Sequence, residues 1–232
     1  MTSARPWRLV SAGDSVVVVE FEERIDREIN ARAVALAARI RNAAAPGIRD
    51  VVPTFRSVAV YFDPLQTDYE ALINRLEEHV IALDRSESPV ERARGGVRAI
   101  RVPVCYGGEF GPDLAEVAQF ASVSESEAAR LHAGTTYRVF MIGFLPGFAY
   151  MGTVDSRIAA PRRTTPRTRV PAGSVAIAGP QTGIYPSESP GGWQVIGRTT
   201  LRPFDPSRAE PAMFSAGDFV QFYSVPSSEV DS

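Results

Sequence analysis

The chain has 232 residues and a formal net charge of −2, with 44% hydrophobic and 22% charged residues. That length suits two small domains or one large β-rich domain, and the charge balance gives no pull towards nucleic acid or a membrane surface. All 25 basic residues are Arg, and the single cysteine, Cys105, excludes an internal disulfide and any metal site built on several cysteines.

The N-terminal residues lack the apolar stretch of a signal peptide, and no run reaches the about 18 apolar residues of a membrane span. The expectation is a soluble cytoplasmic protein. Val16–Phe21 reads as a buried strand. Ile25, Ile29, Ala33, Leu36, Ala37 and Ile40 recur at helical spacing, with Asp26 as cap and Pro46-Gly47 closing the connection. Ile48–Val52 and Val58–Phe62 are two further strands. Tyr69, Leu72, Ile73, Leu76 and Val80 mark a second amphipathic helix opened by Thr67 or Asp68. Residues 14–80 therefore read β-α-β-β-α, most of a ferredoxin-like split βαβ unit.

Ser86–Gly96 is polar and ends in glycine, as a linker does. It divides an α+β domain, residues 1–88, from a second domain, residues 97–226, with a tail at 227–232. Ile100, Val102 and Val104 alternate as a strand that completes the first unit or opens the second, and Pro103 argues for an edge position. Pro112 suits a first helical position ahead of Leu114, Val117, Ala118 and Ala121. Ser124 and Glu127 form a capping-box pattern before a helix that ends near His132, with Gly134 as its stop. From Val139 onwards short strands alternate with Gly/Pro turns: Val139–Ile142, Val175–Ala178, Gln194–Ile196 and Phe219–Tyr223. This pattern predicts an antiparallel barrel or sandwich.

Absent lysine excludes a Walker A site, a Ser-Ser-Lys amidase centre and a Schiff base. Two histidines, His79 and His132, exclude a multi-histidine metal site, and no metal site is expected in this chain. Chemistry concentrates in Met141–Arg198, which holds nine of the 18 Gly, seven of the 18 Pro and six Arg against two acids, Asp155 and Glu188. A basic, aromatic, loop-rich surface suits recognition of a small anionic substrate bearing carboxylate or phosphate.

Three pieces carry candidate residues. Gly143–Gly152 offers Phe144, Phe148 and Tyr150 as an apolar wall, or as aromatics that fill the core around a Pro-Gly turn. Pro161–Ser174 holds Arg162, Arg163, Arg167 and Arg169, stiffened by three prolines, as anion-binding forks, a solvated basic loop or an interface for an acidic partner. Gly179–Gln194 adds Gln181, Thr182, Tyr185, Trp193 and Gln194, polar groups converging on aromatics, or ordinary turn chemistry between strands. His132 sits near a helix C-terminus, where the dipole favours the charged imidazole, and is a candidate catalytic group or a structural one. Cys105 reads as a small buried residue.

Tyr106–Ala118, Tyr137–Gly152, Ala160–Thr199 and Phe204–Phe222 closely resemble the bacterial allophanate hydrolase subunit 1 family. That family includes the 5-oxoprolinase B subunit and a sporulation-kinase inhibitor. The resemblance implies a small α+β domain followed by a cyclophilin-like β-barrel. It also implies a partner, allophanate hydrolase subunit 2 or the 5-oxoprolinase C subunit, and relatedness to the carboxyltransferase region of urea carboxylase. With a third component, the 5-oxoprolinase A subunit, the pair would open 5-oxoproline to glutamate at the expense of ATP, and this chain would be inactive alone. Two other readings follow from the family: a carboxyltransferase-like half served by a biotin carrier, and a non-enzymatic inhibitor of a histidine kinase. A free-standing prolyl isomerase is suggested by barrel shape alone. The name allophanate hydrolase cannot describe an amidase centre here, because the lysine of such a centre is absent.

Overall fold

The computed structural model describes residues 6–84 and 99–230, and the expected linker Ser86–Gly96 lies outside them. The chain separates into two compact units, residues 1–97 and 98–232.

In the first unit, β1 (Trp7–Ser11) and β2 (Val16–Phe21) precede α1 (Arg27–Asn42), β3 (Ile48–Pro53), β4 (Ser57–Phe62) and α2 (Tyr69–Asp84). The sheet order is β1-β2-β4-β3 with every pair antiparallel, so β4 lies between β2 and β3. Val17, Val19 and Phe21 alternate into a core shared with Leu36, Ile40, Leu76 and Val80 of the helices. A period of two meeting a period of three to four is what a sheet covered by helices requires. Asp26 caps α1, its Oδ1 accepting from the N–H groups of Glu28 and Ile29 at 2.8 and 3.2 Å. Ile25, expected within that helix, lies before the cap and is 58% exposed. The sequence pattern did not reveal β1, where only Trp7 is buried.

The second unit opens with β5 (Ile100–Tyr106), α3 (Leu114–Ala121), α4 (Glu125–Ala133), β6 (Thr136–Ile142) and β7 (Ala149–Gly152). It continues with β8 (Arg167–Val170), β9 (Ser174–Ala178), β10 (Gln181–Ile184), β11 (Ser189–Gly191), β12 (Gln194–Arg198) and β13 (Phe219–Ser224). Seven strands close a barrel in the order β10-β7-β6-β13-β5-β12-β9, and β8 with β11 forms a separate two-stranded ribbon. The wholly antiparallel expectation is corrected at one pair: β5 and β13 run parallel. They stand at opposite ends of the unit, so no hairpin fixes their relative direction. The barrel is mixed.

The edge position expected from Pro103 is also corrected, because β5 pairs on both sides. Val104 accepts from the Val225 N–H, which turns the even-numbered groups of β5 towards β13. Pro103 therefore faces the β12 side, where recorded pairs involve only Cys105 and Tyr106. Its missing N–H falls where no ladder bond is made. Val102, Val104, Tyr137, Val139, Met151, Ile177 and Phe222 point inward, and Leu114, Val117 and Leu131 of α3 and α4 join the same core. Pro112 stands two residues before α3 rather than at its first position.

Gly111 is where the turn after β5 meets β12. A Cβ there would strike backbone atoms of Ile196 and Gly107, which cannot rotate away. We expect Gly111→Ala to cost about 3 kcal/mol in urea unfolding. Gly108→Ala meets no atom within 4 Å and carries only the strain of its positive φ of 56°, so it should cost about 1 kcal/mol.

Candidate functional site

The Arg-rich run of the sequence is divided by one buried carboxylate. Asp113 is 1% exposed and stands at the N-cap position of α3, yet its side chain does not cap the helix. It turns towards the barrel instead. Arg167 grips it with both terminal nitrogens at 2.6 and 2.7 Å, and Arg163 donates at 2.7 Å. The Val195 N–H donates to the same carboxylate at 2.7 Å, while Asp113 N–H donates to the Val195 carbonyl at 2.9 Å. A carboxylate out of water is tolerable only with this density of charged donors. Donating to the Asp113 carboxylate holds the Arg167 guanidinium above the ordinary arginine range. Arg169, on the ribbon, pairs in two-pronged fashion with Glu188 at 2.8 and 3.0 Å, both side chains being exposed.

Arg162 is the member of the run with no carboxylate partner among the described residues. Its guanidinium carbon lies 6.0 Å from the centre of the Trp193 ring, at the limit of a cation–π contact. Both line a cleft of about 280 Å³ with Phe144, Phe148, Tyr150 and Tyr185. Phe148, 1% exposed, is the hub: its ring stands edge-on to Phe144, Tyr150, Tyr185 and Trp193 at 4.9 to 5.6 Å between centroids. Such T-shaped contacts fix ring planes as well as positions. Phe144 is 62% exposed at the rim, with a left-handed φ of 69°. Burial pushes the Tyr185 and Tyr150 hydroxyls up, opposed in both by the positive field of Arg162.

The backbone explains why these residues meet. Arg163 N–H donates to the Gly192 carbonyl at 2.8 Å, and Gln194 Nε2 donates to the Pro161 carbonyl at 3.1 Å. Together with the Asp113 clamp, these bonds tie the segment carrying Arg162 to the strand that begins beside Trp193. The remaining candidates lie elsewhere. Gln181 is half-buried on β10, opposite Gly152 and Ala178. Thr182 and His132 are wholly buried inside the barrel. His132 Nε2 is 2.8 Å from Thr182 Oγ1, and its Nδ1 is 2.7 Å from the Tyr106 hydroxyl. Phe222 and Tyr137 rings flank the imidazole at 4.6 and 5.2 Å. Burial pushes His132 down to about 3, so the charged imidazole expected from the helix dipole is corrected to a neutral one. Among the described residues, no three of His, Cys, Asp or Glu are grouped to hold a metal ion.

Sequence reasoning missed Asp113. The signal was the scarcity of acids within Met141–Arg198: any buried Arg there needs a carboxylate from outside the segment.

A family model for the carboxyltransferase domain, subdomains C and D, matches residues 7–214, and the chain belongs to that family. It is 39% identical to the 5-oxoprolinase B subunit of Bacillus subtilis over 93% of this chain and 92% of that protein, which places it among the B-subunit proteins of the family. The crystal structure of TTHA0988 is 35% identical with a TM-score of 0.78, covering 91% of this chain and 40% of that one. Urea carboxylase of Kluyveromyces lactis, at 20% identity and a TM-score of 0.75, shares the fold over 97% of this chain and 22% of its own length.

Removing the clamp should be costly. Asp113→Ala leaves Arg163 and Arg167, 26 and 27% exposed, without their shared acid, and we expect a loss of about 3–5 kcal/mol in thermal or urea unfolding. Arg169→Ala, whose pair with Glu188 is exposed, should leave the melt nearly unchanged.

His132 predicts a pH dependence. Its folded value of about 3 lies below the ordinary 6.5, so between those values the unfolded chain binds a proton that the folded chain refuses. Stability is therefore full above about pH 6.5 and falls as pH is lowered, by about 2 kcal/mol from about pH 7.5 to about pH 5. His79, also lowered by burial, adds in the same direction. Urea titrations of the wild type and His132→Asn check this: the variant should lose most of the slope, whatever its absolute stability.

Proposed function

We propose that the chain is the B subunit of an ATP-dependent 5-oxoprolinase, and that its aromatic cleft holds the substrate. The observation that carries this reading is the 39% identity to the Bacillus subtilis B subunit along nearly the full length of both proteins. The cleft adds a physical rationale. 5-Oxoproline is a small lactam ring bearing one carboxylate. Arg162, unspent on any acid among the described residues, supplies a fork for the carboxylate, and Trp193, Tyr150 and Tyr185 supply walls for the ring. A volume of about 280 Å³ suits a ligand of that size.

The C and A subunits of 5-oxoprolinase are the partners in this reading, and ATP is consumed by the assembly. The cleft is open at Phe144, and in this reading its exposed ring is the contact offered to the C subunit. The first unit, with β4 dividing β2 from β3 and β1 in the place of a fourth strand, fits a ferredoxin-like split βαβ arrangement. The barrel is read as cyclophilin-like, and the assembly as cytoplasmic. A second reading, a carboxyltransferase half served by a biotin carrier, is favoured by the family description. It requires turnover to depend on bicarbonate and biotin.

The test is reconstitution with the C and A subunits, 5-oxoproline and ATP. Glutamate should form with all three proteins, without bicarbonate or biotin, and not with this chain alone. Arg162→Ala should raise the KM for 5-oxoproline by about tenfold or more. No glutamate from an assembled complex refutes the assignment, and an unchanged KM removes Arg162 from the substrate site.

A further inference from the structure

Three strands of the barrel bring another arginine to a closed spot that the proposed lactam site does not use. Arg198, at the end of β12, stands opposite Ser174 of β9 on one side and Cys105 of β5 on the other. Residues directly opposite in a ladder point to the same face, with Cβ atoms about 5 Å apart. Val104 and Val175, the chain neighbours of Cys105 and Ser174, belong to the barrel core, so these three side chains lie on the outer face of the wall. That face is covered. Ser174 is wholly buried, and Cys105 and Phe110 are buried beside it. The Phe110 ring, carried by the turn after β5, lies 5.3 Å from the Arg198 guanidinium carbon. Arg198 Cγ is 3.5 Å from where a Cβ on Gly173 would stand, which keeps the stem of the side chain on the β9 side.

Two polar atoms at this spot are orphaned. Arg198 Nε and Ser174 Oγ are both buried without a hydrogen-bond partner. Arg198 also pairs with no carboxylate among the described residues, unlike Arg163, Arg167 and Arg169. A guanidinium N–H can only donate, and a hydroxyl can donate as readily as it accepts. The two neighbours can therefore serve one acceptor between them. Leaving either unmet in the interior costs about 1–3 kcal/mol, and more for the charged group. A water would accept from both, but it leaves the positive charge uncompensated and brings protons of its own. An anion accepts from both and neutralises the guanidinium.

We propose that Arg198 and Ser174 form a binding site for a compact monovalent anion of chloride size, held by the Nε–H and the serine hydroxyl under the cover of Phe110. The burial of Ser174 and the cover of Phe110 favour a compact ion over a bulky one. The site rests on the barrel alone and is independent of the proposed 5-oxoprolinase reaction. Phe110 lies in the same turn that delivers Asp113 to the barrel, so the anion secures the cover of that turn to β9 and β12.

The experiment uses the whole chain without partners or ATP. Sodium gluconate holds the ionic strength constant while chloride replaces it from zero to about 200 mM, and backbone amide spectra are recorded. The amides of Gly173, Ser174, Arg198 and Thr199 should shift saturably with chloride. Ser174→Ala removes one donor and should weaken chloride by about fivefold, and Arg198→Gln removes the charge and should weaken it by about tenfold or more. Ser174→Ala deletes a hydroxyl that has no partner in the fold, so it stays folded and keeps the test open if Arg198→Gln does not. No saturable shift at these amides, or an affinity unchanged in either folded variant, would overturn the proposal.

Discussion

Taking an aspartate out of water costs several kilocalories per mole unless charged donors surround it. Asp113 meets that condition with two arginines and a backbone N–H. Because its donors come from three separate stretches of chain, the carboxylate joins the start of α3, the segment before β8, β8 itself and β12. No local turn chemistry could hold those pieces together, and the ribbon of β8 and β11 is not part of the barrel ladder. The carboxylate does for the loops what hydrogen-bonded strands do for the barrel. It also decides which arginines remain for a ligand, since Arg163 and Arg167 are consumed inside the fold.

That division shows where the sequence was legible. The caps at Asp26 and Ser124 were readable because a capping residue acts within three positions of itself. Strand alternation was readable for the same reason, and it located β2, β4 and β13 well. The parallel pairing of β5 with β13 was not readable, since it joins residues more than a hundred positions apart. Pro103 misled for a related reason. Its effect depends on which neighbour its missing N–H faces, and that is set by register rather than composition. In the candidate site, the grouping of Phe144, Phe148, Tyr150, Tyr185, Trp193 and Arg162 followed from the concentration of Gly, Pro and aromatics. The different fates of four neighbouring arginines did not, because they are settled by Asp113 and Glu188.

For His132 the helix dipole was one effect weighed without its rival. A helix C-terminus favours a charged imidazole by up to about 2 kcal/mol in favourable geometry. Full burial among Phe222 and Tyr137, with no acid in contact among the described residues, opposes the charge more strongly. The neutral ring is then held by hydrogen bonds alone. The chain from Tyr106 through His132 and Thr182 to the Ala176 carbonyl leaves no ring nitrogen or hydroxyl proton unassigned. A buried polar chain that is fully satisfied is rigid, because rotating any member strands another.

The aromatic cleft inherits its polarity from that division of the arginines. Arg162 is the one cation among its lining residues, and the rings of Tyr150, Tyr185 and Trp193 stand edge-on to Phe148. T-shaped packing fixes the ring planes, and the Asp113 clamp leaves this one charge uncommitted to a carboxylate among the described residues, so the cleft suits a compact ligand with one negative end.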